Sequence, residues 1–392
     1  MNFQSIANAL GIPAYPEALN EVYEALPPGE NAVTDAFITG LEETYGILGK
    51  YTEELRQAAR DLQKDEVRLA FVNTVCEYLP TTDCAGTRAI PMPKTDGTLA
   101  GNMLPLLILL SQVPAAYGEY VSRGFSEAET KELMGAFCRA IRTVEQRFHL
   151  HGINGGFYVW LCLYMKCRIF RTGIFNIEMK ALSPAAICLQ NRVTGETAVL
   201  LCEGRFHRSG RVLGAAGCTD AEGAFDAAFS ETEEAFVGHP AKAGLVSPEV
   251  AVFPKDRWEA AARPGDDVIS LHIPGGVALT AENIRSSVTD ALALAKERYP
   301  ECNPRGVHCS SWLLDPALGT LLGDTSRIVG FGNTFHRYPT KSDGLELFSF
   351  VFPGADTAKL SGLPEDTSLQ RKLKALYLAG GFVYQTAGIF LR

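Results

Sequence analysis

The spacing of apolar residues changes once along the chain. Up to about Lys166 they recur every three or four positions, which predicts helices. Val67, Phe71, Val75 and Leu79 share one face of a helix over 66–79, and a second helix covers 51–62. Pro80 ends the first of these, and 81–97, rich in Pro, Gly, Thr and Asp, reads as loop. Ser126 opens the best-marked helix: Glu129 stands three residues on, as a capping box requires, and Leu133, Phe137, Ile141 and Val144 form the stripe.

Near Cys167 the period shortens to that of strands. Strands are predicted over 171–179, 185–189 and 198–202, the last two joined by a turn at Thr194-Gly195. Residues 205–212 carry Arg205, His207, Arg208 and Arg211 around Ser209-Gly210 and read as a hairpin tip. Such a tip could touch a phosphate, although solvated charge on a turn is commoner. Residues 210–234 read as loop and weak helix, 236–240 and 250–253 as short edge strands, and 258–262 as a helical turn.

The most informative stretch is Asp266 to Phe352. A strand over 268–273 runs into Pro274-Gly275-Gly276; Thr280 then caps a helix whose buried stripe is Ile284, Val288, Ala291, Leu292 and Ala295. Pro300 ends the helix, and a strand through His308 and Cys309 must return parallel to the first. Two further strands are predicted in 326–340 and 345–353. A glycine turn running into a helix N-terminus suits a phosphate, because free N–H groups and the helix dipole face the anion. Two parallel strands with such a turn at their mouth form a slot for an extended ligand.

Composition narrows the classes. The 392 residues suit two domains, 1–166 helical and 167–392 of mixed α+β architecture. A formal net charge of −9 argues against a general nucleic-acid binder. The apolar runs 104–110 and 157–167 are too short to span a bilayer, and residues 1–10 lack a signal-peptide pattern. Ten scattered cysteines without a CxxC pair read as reduced thiols of a cytoplasmic protein. His149 and His151 could share a metal, but no third ligand follows at a sensible spacing, and no metal site is assigned. There is no GxGxxG, GxxxxGK[ST] or GxSxG motif.

The order strand, turn, helix, strand, helix, strand, strand resembles the core of the GNAT acyltransferase fold. Trp258-Glu259, Pro264-Gly265-Asp266, Leu271-His272-Ile273-Pro274, the CSSWLLDP run at Cys309–Pro316 and the Ser326–Phe335 segment resemble a bacterial family that pairs a helical acyltransferase-type N-terminal domain with a GNAT-like C-terminal domain. The resemblance implies an acyl-CoA co-substrate and an amine acceptor, either a small molecule or a peptide; charge and the short apolar runs point to no nucleic-acid or membrane partner. The helical domain would then shape a pocket or support a homodimer. The usual Q/R-x-x-G-x-G/A loop is absent, and Ile273, Pro274, Gly275 and Gly276 stand in its place, with Thr280, Arg285 and Ser286 beyond.

Acyl transfer needs a base for the amine and a proton donor for the leaving thiolate. His272 and Glu346, then His336, are candidate bases; Cys309, Ser310 and Tyr338 are candidate donors. Each also has an ordinary reading as a strand or core residue. A non-catalytic module binding CoA or another small anion is the alternative function. Acyl transfer through Cys309 itself is disfavoured, because neighbouring His308 points to the other face of a strand.

Overall fold

The described regular structure of the N-terminal part is helical almost throughout, and side-chain caps explain where several of its helices begin. Thr34, Asp65, Thr98 and Asn154 each accept a hydrogen bond from the backbone N–H three residues on. Ser126 and Glu129 form the expected capping box at the helix Glu127–Met134. Leu99–Leu110 is buried at every position after Leu99 despite Pro105, as expected of a helix that is apolar all round. The apolar segment Leu99–Ser122 is long enough to cross a membrane by length and composition, yet 72% of its apolar window is buried inside the protein, which marks a core element. The segment 81–97 is not all loop: Asp83 caps a short helix, Cys84–Arg88.

The structure, a computed structural model, describes residues 2–27 and 31–391. It divides into two compact units, Met1–Phe170 and Arg171–Arg392.

The second unit is built on two sheets. The first, of six strands, runs in the order Ile169–Thr172, Phe175–Ala181, Asp267–His272, Gly306–Ser311, Thr386–Leu391, His336–Pro339. Its first strand lies where the chain passes from one unit to the next. Asp267–His272 and Gly306–Ser311 run parallel, and the helix Ala281–Arg298 is the crossover between them. The second sheet runs Ala251–Pro254, Ala235–Lys242, Thr197–Leu201, Ala186–Asn191, Trp258–Ala262. One core joins the two sheets: Ala186, Cys188, Val199 and Leu201 pack with Val268, Tyr338, Ala387 and Ile389.

Four local expectations are corrected. The strand predicted over 171–179 is interrupted at Gly173, whose φ of 49° suits glycine; a Cβ there would lie 2.1 Å from Ser287 Oγ. Trp258–Ala262 is a strand and not a helical turn, because it completes the second sheet against Ala186–Asn191. Residues 210–234 hold no helix; Phe225–Asp226 and Phe229–Glu231 are short strands. Residues 345–353 fold into a short helix, Phe348–Val351, and the sheet position is taken instead by Thr386–Leu391.

Candidate functional site

Strand alternation gives the parallel pair two chemically distinct faces. Ile177, Met179, Ile269, Leu271, Val307 and Cys309 are all buried and share one face. The other face carries Glu178, Lys180, Ser270, His272, His308 and Ser310. The registers place Glu178, Ser270 and His308 side by side on three adjacent strands. Polar side chains in a buried strand need partners. His308 Nδ1 lies 3.0 Å from Ser270 Oγ, and His272 Nε2 lies 2.8 Å from Glu178 Oε2.

His308 is only 4% exposed. Burial, reinforced by the Lys180 charge, takes its pKa down to about 3, so the imidazole is neutral near pH 7. Tyr338 lies on the same side of the sheet. Its hydroxyl is buried with no hydrogen-bond partner among the described residues, and burial pushes its pKa upward, holding the phenol protonated. His308, Ser310 and Tyr338 line a cleft of about 480 Å³ whose apolar walls include Leu201, Phe206 and Val212, with Lys180, Lys341 and Glu203 also lining it.

The parallel pairing covers only three positions: Ile269 with Val307, Ser270 with His308, Leu271 with Cys309. Beyond them, His272 stays paired to Asn176 on one side, and Ser310 and Ser311 to Ala387 and Thr386 on the other. The two strands therefore part at their C-terminal ends. The turn Ile273–Gly276 sits at that opening, with Gly276 at φ +80°. The N–H groups of Gly275, Gly276, Val277 and Ala278 have no acceptor among the described residues. Thr280 accepts from Asn283 N, and Asn283 Nδ2 donates to Ala278 O, which ties the turn to the helix. The cradle of unpaired amides and the N-terminus of Ala281–Arg298 together form an anion-receiving edge. Arg285 and Ser286 are exposed on the helix one turn further on, where Glu282 and Asp290 are neighbours.

The remaining candidates sit elsewhere. Cys309 is completely buried on the apolar face, and burial pushes its thiol up to about 12. Glu346 precedes the short helix and accepts a hydrogen bond from Ser342 Oγ at 2.8 Å; it does not line the cleft. His336 is exposed. The expected basic tip is tied down, because His207 and Arg208 both contact Asp220. Arg211 stacks over the Tyr384 ring at 3.7 Å, and one of its nitrogens lies 3.6 Å from Asp315 Oδ1. In the N-terminal unit, His151 Nδ1 lies 2.8 Å from Glu54 Oε1 and 3.9 Å from Glu145 Oε1, so this histidine, two thirds exposed, has carboxylate neighbours.

Sequence reasoning undervalued His308 and did not single out Glu178, Lys180 and Asp315. The signal for His308 was present: a histidine and a serine two apart, alternating with Val307 and Cys309, mark a polar face on a buried strand.

A mixed sheet with one parallel pair, a crossover helix and an amide-lined turn defines a GNAT-like fold, here following a helical N-terminal unit. The GNAT-like C-terminal domain family matches residues 190–390, more than half of the chain, and the protein belongs to that family. No curated protein matches it. Among solved structures, an acyltransferase mutant in complex with octanoyl-CoA is similar at a TM-score of 0.67 and 17% identity, covering 100% of this chain and 99% of that chain. An acyltransferase in complex with decanoyl-CoA and teicoplanin is similar at a TM-score of 0.66 and 17% identity, with the same coverage. At that identity the likeness establishes the fold.

Proposed function

We propose that this protein is an acyl-CoA-dependent N-acyltransferase. The observation that carries the reading is the parting of the parallel strands after Leu271 and Cys309, directly below a turn of unpaired amides. An extended thioester ligand fits that arrangement: its phosphates rest on Gly275, Gly276 and the helix start at Thr280, with Ile273 and Pro274 shaping the turn. Arg285 and Ser286 are placed to meet the outer phosphate. Its arm enters between the parted strands, where unpaired strand edges offer hydrogen bonds. The octanoyl-CoA and decanoyl-CoA bound in the similar structures support this choice of co-substrate.

In the reaction, the amine nitrogen attacks the thioester carbonyl and the C–S bond breaks to leave an amide and a thiolate. His272, oriented by Glu178, takes the proton lost by the amine. The Tyr338 hydroxyl, protonated and without a partner, donates a hydrogen bond to the departing thiolate, which then takes up a proton from the imidazolium or from water. Neutral His308 and Ser310 line the cleft and help to orient the acceptor. Cys309 and Glu346 have no part in this scheme. The acceptor is a small amine, as the teicoplanin complexes of the similar structures suggest. The ten cysteines, none of them in a disulfide, support a cytoplasmic location.

The test is release of free thiol from acetyl-CoA and octanoyl-CoA in the presence of a panel of amines. Transfer that is lost in His272→Ala supports the proposal. CoA binding without turnover of any amine would instead favour a non-catalytic module, a reading to which the missing Q/R-x-x-G-x-G/A loop gives weight.

A further inference from the structure

Two lysines line the cleft, and neither is neutralised. Lys180 is half-buried on the strand Phe175–Ala181 and forms no ion pair or hydrogen bond among the described residues. Lys341, exposed just beyond the strand His336–Pro339, likewise has no partner among the described residues. The opposite wall carries one acidic group, Glu203, which is exposed and also unpaired. Elsewhere in the same unit several basic groups are matched, Lys255 and Arg263 with Glu231, Arg208 with Asp220, Lys374 with Glu365. Ammonium groups on the wall of a cleft offer charge-assisted hydrogen bonds to an anionic group on a ligand. The Lys180 charge is felt at the cleft floor, where it disfavours protonation of His308.

The position of the cleft indicates which ligand the lysines serve. None of residues 273–280 lines it, so it is separate from the amide-lined turn that would hold the acyl donor's phosphates. With about 480 Å³, apolar walls, and His308 and Ser310 of the polar row at its floor, it has room for a small amphipathic molecule.

We infer that the acceptor is an amine that also carries an anionic group, which Lys180 and Lys341 bind, while Glu203 draws the ammonium end to the cleft mouth. The inference rests on the acyltransferase reading above for the identity of the cleft as the acceptor side. A carboxylate and a phosphate monoester offer the same charge-assisted hydrogen bonds to lysine, and the two sources are separated experimentally.

The experiment measures thiol release from octanoyl-CoA with three acceptors matched in length: 6-aminohexanoate, 6-aminohexyl phosphate and hexylamine. At least one anionic amine should exceed hexylamine in kcat/KM by about tenfold or more. Whichever anion wins identifies the source. In Lys180→Gln with Lys341→Gln the acceptor KM should rise by a similar factor and the preference over hexylamine should vanish, with CoA affinity unchanged; Lys180→Arg should restore most of the preference. Equal turnover of hexylamine in the wild type, or loss of CoA affinity in the lysine variant, would overturn the inference while leaving acyl transfer itself intact. If no amine is acylated, the functional reading fails separately, and calorimetry with the two anionic amines still decides. Binding lost in the lysine variant supports an anion site, and absence of heat in the wild type refutes it.

Discussion

His308 and Ser270 meet across the parallel strands, with Nδ1 3.0 Å from Oγ, on the face that packs against the second sheet. This pair is the fixed point of the polar row, since it stands at the middle of the three registered positions before the strands part. The folded state keeps His308 neutral down to about pH 3, whereas an unfolded chain protonates it near the ordinary value of 6.5. Between those values the unfolded state binds the extra proton, so stability rises with pH. The contribution of His308 is complete above about pH 6.5 and is lost progressively as pH falls toward 3, by at most about 1.4 kcal/mol per unit. His308→Gln should therefore melt with a flatter dependence on pH than the wild type between pH 6.5 and 4. Parallel melting curves would contradict the burial assigned here.

Tyr338 separates stability from catalysis. Its hydroxyl has no partner among the described residues, so Tyr338→Phe removes an unsatisfied buried group and should leave the melting temperature unchanged or raised. Turnover should nonetheless fall by roughly 10- to 100-fold in kcat with little change in KM. A variant that melts earlier with full activity would reverse the assignment.

The His272–Glu178 pair predicts two related losses. His272→Ala should lower kcat/KM about 100-fold or more, and Glu178→Gln should lower it less, because the base remains but is no longer oriented. Steady-state kinetics on both variants, with CoA affinity measured alongside, would show whether either loss is simply one of donor binding.

At the turn, Gly276 and Gly275 should respond differently. Neither would meet a neighbour through an added Cβ, but Gly276 alone adopts a positive φ. Gly276→Val should strain the turn by about 1–2 kcal/mol and weaken CoA binding severalfold or more. Gly275→Ala should retain affinity. Similar affinities for both variants would show that this turn does not hold the donor.

Asp315 is a structural residue of the same unit. It accepts hydrogen bonds from Tyr384 N at 2.6 Å and Ala317 N at 2.8 Å, with Arg211 beside it. Asp315→Ala strands two backbone donors and a largely buried guanidinium and should cost about 2–4 kcal/mol. Denaturant titration would register it as a lower midpoint.

Much of this architecture is legible in the residues because local chemistry dictates it. Capping at Ser126 and Thr280, the glycine turn at 274–276 and the parallel return through Val307 all follow from spacing and helix-end requirements. The failures share a cause: they depend on partners distant in sequence. Trp258–Ala262 is a strand only because Ala186–Asn191 offers it an edge. Thr386–Leu391 enters the sheet between strands that begin 80 and 50 residues earlier, roughly counted, and no local pattern announces that insertion. The site divides in the same way. His272 and the turn stand out in the chain, whereas Glu178 becomes relevant only when its strand is laid beside Asp267–His272. Tyr338 gains meaning from the lack of any partner for its hydroxyl, which only three-dimensional packing reveals.

Calorimetric titration of the wild-type protein with CoA and octanoyl-CoA tests the central claim most directly. The account predicts saturable one-to-one binding of both, weakened in Gly276→Val and unaffected by Lys180→Gln. No heat and no thermal shift at millimolar ligand would contradict it.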